Sequence, residues 1–255
     1  MSFTPAERNQ RAIAGLKDLA SLMDQDNAKL APPGGRRLFA IGWGLMTALH
    51  RQACAVILLH GKGLAHEAAP NRRLMIECMA QLHWLVRDRE VAADSMNKAF
   101  QQAQKKLREA VDEGKVFSYS EEDAAAADAV AAMTLPSHAN DRLNQAGNLL
   151  KDLGHGLKEA WLIETRRSHA GLAAAQFFFD SSSASELILY DSPHMEGVPA
   201  DDELSPLMAC GMVYYGAEAF NDLLEGSPWT RDLERIGVNT GLIKSAEEEL
   251  GFSGS

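Results

Sequence analysis

Residues 36–60 read RRLFAIGWGLMTALHRQACAVILLH. Wound as a helix, this stretch is apolar around nearly its whole circumference, which marks an element at the centre of a core. Its window from Leu38 to Leu59 is the most apolar in the chain, yet His50-Arg51-Gln52 interrupt it near the middle. A bilayer-spanning helix rarely tolerates such a break, so the stretch reads as a core helix from Arg36 to His60, stopped by Gly61-Lys62-Gly63.

The rest of the chain agrees in kind. Its 39 Ala and 31 Leu stand against 9 Val, 8 Ile and 6 Thr, a balance that favours helix over strand throughout. The 255 residues carry no Ser/Gly-rich or Pro-rich linker that would divide them, and a single all-helical domain of about seven to nine helices is expected over 1–255. Thr4-Pro5-Ala6-Glu7 is a capping box with proline at the first helical position, and it opens a helix reaching toward Leu30 with Ile13, Leu16, Leu19 and Met23 on one face. Pro70 opens another, with Leu74, Cys78, Leu82 and Leu85 at core spacing before Asp88. A fourth, from Val91 to Glu113, carries the stripe Met96, Phe100, Ala103, Leu107 and Val111. Short helices follow over Glu121 to Met133 and Ala139 to Leu153, then a long helical segment from Leu157 to Asp180. Beyond a serine cluster and the apolar piece Leu187-Ile188-Leu189-Tyr190, Ser205-Pro206 caps a helix reaching Glu225. A short, weakly held helix is expected after Gly237, with Gly251 to Ser255 frayed.

Charge and cysteine usage exclude several classes. Residues 1–180 hold 22 Lys/Arg and 21 Asp/Glu, whereas residues 181–255 hold 3 and 14, so the net charge of −10 lies in the last third and disfavours a nucleic-acid partner there. Cys54, Cys78 and Cys210 form no Cys-x-x-Cys pair, and the first residues lack a basic stretch followed by an apolar run. A cytoplasmic location with no membrane span is expected. The eight histidines include no pair at i, i+4, and no Glu is followed three residues later by His, so no metal and no cofactor are expected. Gly61-Lys62-Gly63 follows a helix and lacks the third glycine of a dinucleotide loop, Ser181 to Ser185 have no Gly-x-Ser-x-Gly elbow, and no Arg is separated from a following His by four to six residues as small helical ribonucleases require.

Two polar constellations remain. On the Pro70 helix, Arg73, Glu77, Gln81 and Asp88 recur at helical spacing with Trp84 in the gap. The bland reading is a solvated stripe; the functional one is a desolvated Arg73–Glu77 pair that survives burial only if hydrogen-bonded. In the Leu157 to Asp180 segment, Glu164-Thr165-Arg166-Arg167-Ser168-His169 falls between two apolar stretches. A carboxylate, a guanidinium, a hydroxyl and an imidazole there would bind an anion or perform acid–base chemistry, or simply form a charged face. Glu77, Glu164 and His169 are the catalytic candidates, and Arg73 and Arg167 the ligand-binding ones.

The segment Arg72-Arg73-Leu74-Met75-Ile76-Glu77-Cys78-Met79-Ala80-Gln81-Leu82-His83-Trp84-Leu85-Val86 resembles the opening helix of an uncharacterised bacterial family of all-helical domains of unknown function, in which an Arg-x-x-x-Glu turn precedes an apolar and aromatic run. The likeness is close over these 15 residues and loose over about 120, as far as Phe177-Phe178-Phe179. It implies a helical bundle and no activity, with Arg73 and Glu77 as matching positions. The family's later Tyr, Ser and His cluster has approximate counterparts in Phe178, Ser181 to Ser185 and His194, at displaced spacing. A helical interaction module acting through protein contacts is therefore expected, with the resemblance placing it in bacterial stress or phage defence; self-association through the apolar 207–224 helix is a third possibility. The competing class is a hydrolase or nuclease built on the polar residues near 73–88 and 161–180.

Overall fold

The computed structural model describes residues 3–26, 35–114, 120–154, 156–180, 187–194 and 205–244. Among them the chain forms an all-α bundle: α1 (Pro5–Met23), α2 (Arg36–His60), α3 (Ala69–Asp88), α4 (Glu90–Gly114), α5 (Glu121–Ala132), α6 (Ala146–Leu153), α7 (Leu157–Ser168), α8 (Leu172–Ala175), α9 (Ser205–Asn221) and α10 (Thr230–Thr240). One two-stranded antiparallel ladder joins β1 (Phe179–Asp180) to β2 (Ile188–Leu189), with Phe179 opposite Leu189. The serine cluster at 181–185, the loop from 195 through 202 and the tail from 245 lie outside the described residues.

Local signals set the first helices. The Thr4 hydroxyl accepts from the Glu7 amide while the Glu7 carboxylate accepts from the Thr4 amide at 2.8 Å, closing the capping box around Pro5. α2 has the bounds its sequence predicts and buries Leu38, Gly42, Met46, Leu49, Ala53 and Val56 along one face. At the centre α2, α3 and α9 pack on one another, and α1 and α10 close over α9. Gly42 and Gly216 permit the closeness: a Cβ at 216 would overlap the Leu49 side chain, and one at 42 would meet Leu223. Phe39, Trp43, Phe220 and Trp229 form a chain of ring contacts at 5.5 to 6.2 Å. Buried Asn221 holds the turn into α10, accepting from the Trp229 amide at 2.8 Å and donating to Thr230 Oγ1 at 3.1 Å.

Several expectations need correction. The 207–224 helix is not free for self-association: Ala209, Cys210, Val213, Tyr214, Ala217, Phe220, Leu223 and Leu224 are all buried within the chain itself. Where a weakly held helix is expected after Gly237, the described residues instead form α10 across that position, with Gly237 buried in it, anchored by Leu233, Ile236 and the wholly buried Trp229 and stopped by left-handed Gly241; the expected tail from 245 lies outside the described residues. On α3, Leu74 is 39% exposed, and the apolar core positions include Met75, Ile76, Cys78, Met79, Ala80, Leu82, Trp84 and Leu85. On α4 only Ala92, Ala93 and Ser95 are buried, while Phe100 and Leu107, expected in the core, are 53% and 51% exposed.

The two segments read as continuous helices are broken. Residues 139–153 divide at Gln145, whose backbone is extended, because the 3₁₀ turn Ala139–Asn144 is tied to α4 by side chains. Asp141 accepts from Ser95 at 2.6 Å and Lys98 at 2.8 Å, and Asn144 donates to the Ser95 carbonyl. α7 ends at Ser168, with His169 extended, instead of running to Asp180. Thr165 and Ser168 donate their hydroxyls back to the carbonyls of Trp161 and Glu164, and Gly171 follows, so helix continuation is weak there.

Candidate functional site

α7 lies against α3, and the contact between them is polar. Its deepest member is Arg72, whose side chain is 2% exposed. One turn of α3 places Met75, Ile76 and Met79 on the same face, so the guanidinium enters the bundle along an apolar stripe. There Nη1 donates to the Ala65 carbonyl at 2.5 Å and to Ser205 Oγ at 3.0 Å, and Nη2 meets Glu164 Oε2 at 2.9 Å. This last contact is an ion pair without hydrogen-bond alignment, since neither atom has a directed partner. Glu164 itself is 6% exposed and faces a second guanidinium, with Arg167 Nη1 3.6 Å from Oε1. A carboxylate is thus enclosed between two arginines at the seam of α3 and α7, where breaking either contact would leave a charge out of water.

A second network runs alongside, closer to solvent. Glu77 Oε1 accepts from Trp161 Nε1 at 2.6 Å and from Arg73 Nε at 3.1 Å. The Arg73 guanidinium also lies 5.3 Å from the Trp161 ring centre, and its Nη1 is 2.5 Å from His169 Nε2. Arginine offers only donors, so His169 Nε2 is the acceptor and a neutral ring carries its proton on Nδ1. Cys78, beside Glu77, has its thiol pushed up to about 11 by burial first and by the Glu77 charge second.

Aromatic rings wall the seam. The Arg167 guanidinium stands 6.0 Å from the centre of the Phe177 ring, against which His66 packs at 4.6 Å. Phe178 presents its edge to His66, its carbonyl accepts from the Tyr190 amide, and Tyr190 stacks on His194 at 4.2 Å. Of the approximate counterparts in the Tyr, Ser and His cluster, Phe178 and His194 are therefore linked through Tyr190 beside the short ladder.

All five residues singled out from sequence thus gather at one interface: Arg73, Glu77 and His169 in the outer network, Glu164 and Arg167 in the inner. The remainder of the α3 stripe leaves it. Asp88 turns to Trp84, Arg87 and Asn140, and Gln81 lines a furrow of about 420 Å³ between α2 and α4. Arg72, Trp161 and Ser205 are the members that sequence reasoning missed. No group of three or more His, Cys, Asp and Glu side chains placed to hold a metal occurs among the described residues, and no described helix is long and apolar enough to cross a membrane.

A bundle of this kind, with a charged seam between two of its helices, is the class that the geometry defines. Residues 39–161 match the family of unknown function DUF5677, which agrees with the resemblance of residues 72–86 to an uncharacterised domain family. The matched span holds Arg72, Arg73, Glu77 and Trp161 and ends before Glu164, Arg167 and His169. No curated protein and no solved structure matches the chain.

Proposed function

We propose that the chain is a cytoplasmic helical interaction module that meets a protein partner through the outward apolar stripe of α4. The exposure of Phe100 and Leu107 on a 25-residue amphipathic helix carries the reading, since a contiguous apolar stripe facing water is costly unless something covers it. The bacterial setting, in stress or phage defence, rests on the resemblance of residues 72–86. Treating residues 1–255 as one domain rests on the mutual packing of α1, α2, α3, α9 and α10.

The hydrolase or nuclease reading asks Glu77, Glu164 or His169 to act on a substrate with Arg73 and Arg167 holding it. Pairing weighs against it: Glu164 is spent on two guanidinium groups, and Glu77 Oε1 on an indole and a third. The test combines capture of partners from the source cell's lysate with thermal unfolding against metals, nucleotides, RNA oligomers and small anions. Expected are a partner retained by Glu77→Gln and lost by Phe100→Glu/Leu107→Glu, and no ligand shift. A ligand that stabilises the protein by about 2.7 kcal/mol at one hundred times its Kd, with the gain absent in Glu77→Gln, would overturn the module in favour of the enzyme.

A further inference from the structure

α1 and α2 each pack on α9 and leave a furrow of about 440 Å³ between them, within the range of small-molecule sites. Its walls are carbon: Ile13, Leu16 and Ala20 from α1, Ile57 and Leu58 from α2, with Leu58 65% exposed at the rim. One nucleophile lines it. Cys54 is the exposed member of the three free cysteines, and its Sγ lies 3.9 Å from His50 Nε2, one turn earlier on α2. Burial above all holds the His50 imidazole below its ordinary value, with the Asp24 charge opposing and the Arg51 charge adding, which favours the neutral, proton-accepting ring. Lys17, in the furrow wall, brings a positive charge to this carbon-lined site, while the charges of Asp24 and Arg51 oppose one another at His50.

The geometry points to Cys54 as an S-acylation site, whose furrow seats the chain of a long-chain acyl thioester while Lys17 in its wall attracts the donor's anionic end. The Cys54 thiol gives its proton to His50 Nε2, and Sγ bonds to the acyl carbonyl carbon as the donor's carbon–sulfur bond breaks. The leaving thiolate then takes the proton from His50, so the exchange needs no oxidant or reductant. Backbone amides around Cys54 are engaged in the α2 ladder and offer no oxyanion donors to acylation or to hydrolysis, so neither step gains from that source. Rate comes from seating the chain beside the thiol. Cys78 and Cys210 are buried, their thiols pushed up to about 11 and about 12, and serve as internal controls.

The experiment incubates the full chain with palmitoyl-coenzyme A or acetyl-coenzyme A at equal concentration and follows intact mass, hydroxylamine reversal and peptide mapping. Expected is one hydroxylamine-labile palmitoyl group on Cys54, formed about tenfold or more faster than the acetyl adduct, and slowed about 10²-fold by His50→Gln. Leu58→Ala, at the furrow rim, lowers the palmitoyl rate more than the acetyl rate. Absence of an adduct on Cys54, equal rates for the two donors, or an unaltered rate in His50→Gln would each overturn the assignment.

Discussion

Replacing Arg72 by Met tests whether the α3–α7 seam holds the bundle together. The substitution removes two hydrogen bonds from a charged donor, to Ala65 and Ser205, and strips Glu164 of its 2.9 Å partner while Glu164 stays 6% exposed. Breaking a buried ion pair from one side costs about 3 to 5 kcal/mol. Arg167, 3.6 Å from the other carboxylate oxygen, still holds part of the charge, so the lower end, about 3 kcal/mol, is expected. In a chain of this length that lowers Tm by about 6 to 12 °C. Arg72→Met/Glu164→Met removes both desolvation costs together and restores apolar packing, so it is expected within about 1 to 2 kcal/mol of the parent, which makes the pair strongly coupled. Urea unfolding of the four proteins at pH 7, followed by far-UV circular dichroism, measures the cycle. A loss below about 1 kcal/mol in Arg72→Met, or a double variant as unstable as the two singles summed, would refute the reasoning.

Arg89 joins α3 to α4 with φ 49° and ψ −122°, a conformation glycine adopts without strain, so Arg89→Gly should raise stability by about 1 kcal/mol, read as a higher Tm. Gly216→Ala presses a methyl group into Leu49 across the α2–α9 contact and should cost about 1 to 3 kcal/mol by urea unfolding; an unchanged midpoint would show that α9 shifts freely. Asp141 has its carboxyl lowered from 3.8 to about 2, by the Lys98 hydrogen bond first and the Ser95 hydroxyl second. A group depressed by folding stabilises above its unfolded value and loses that contribution as pH falls through the folded one, so Lys98→Met should cost about 1 to 2 kcal/mol at pH 6 and close to nothing at pH 2, allowing for solvent screening. A pH-independent difference in the unfolding midpoint would remove Asp141 from the account.

What could be read from the sequence was what neighbours in the chain decide. The Thr4–Glu7 box and the bounds of α2 depend on residues within one turn of each other, and both appear as expected. The break at Ser168 depends on two hydroxyls bonding back to carbonyls and on Gly171, and a pattern search that weighs apolar spacing sees only Trp161, Leu172 and the three phenylalanines on either side. α4 shows the opposite error. Its stripe has core periodicity, but periodicity records an amphipathic face without recording what covers it, and Phe100 and Leu107 face water. α10 carried a legible signal in Leu233, Ile236 and Gly241 that the acidity of the last third obscured.

The site divides along the same line. Glu77 and Arg73 are an i, i+4 pair, visible locally, and the structure joins them at 3.1 Å. Arg72 falls outside any polar stripe, and its signal is its company: positions three, four and seven residues on are Met75, Ile76 and Met79, so the side chain must enter an apolar face. Glu164 sits likewise, with Leu157, Ala160 and Trp161 seven, four and three residues before it. Two oppositely charged residues, each on an apolar stripe of its own helix, predict one another, because neither is tolerated in a core without the other. Charged residues out of phase with their own helix therefore locate a buried pair more sharply than a continuous polar line does. The continuous line from Arg73 to Asp88 in fact winds from the α7 seam at one end to Asn140 at the other, and its members share a helix without sharing a site.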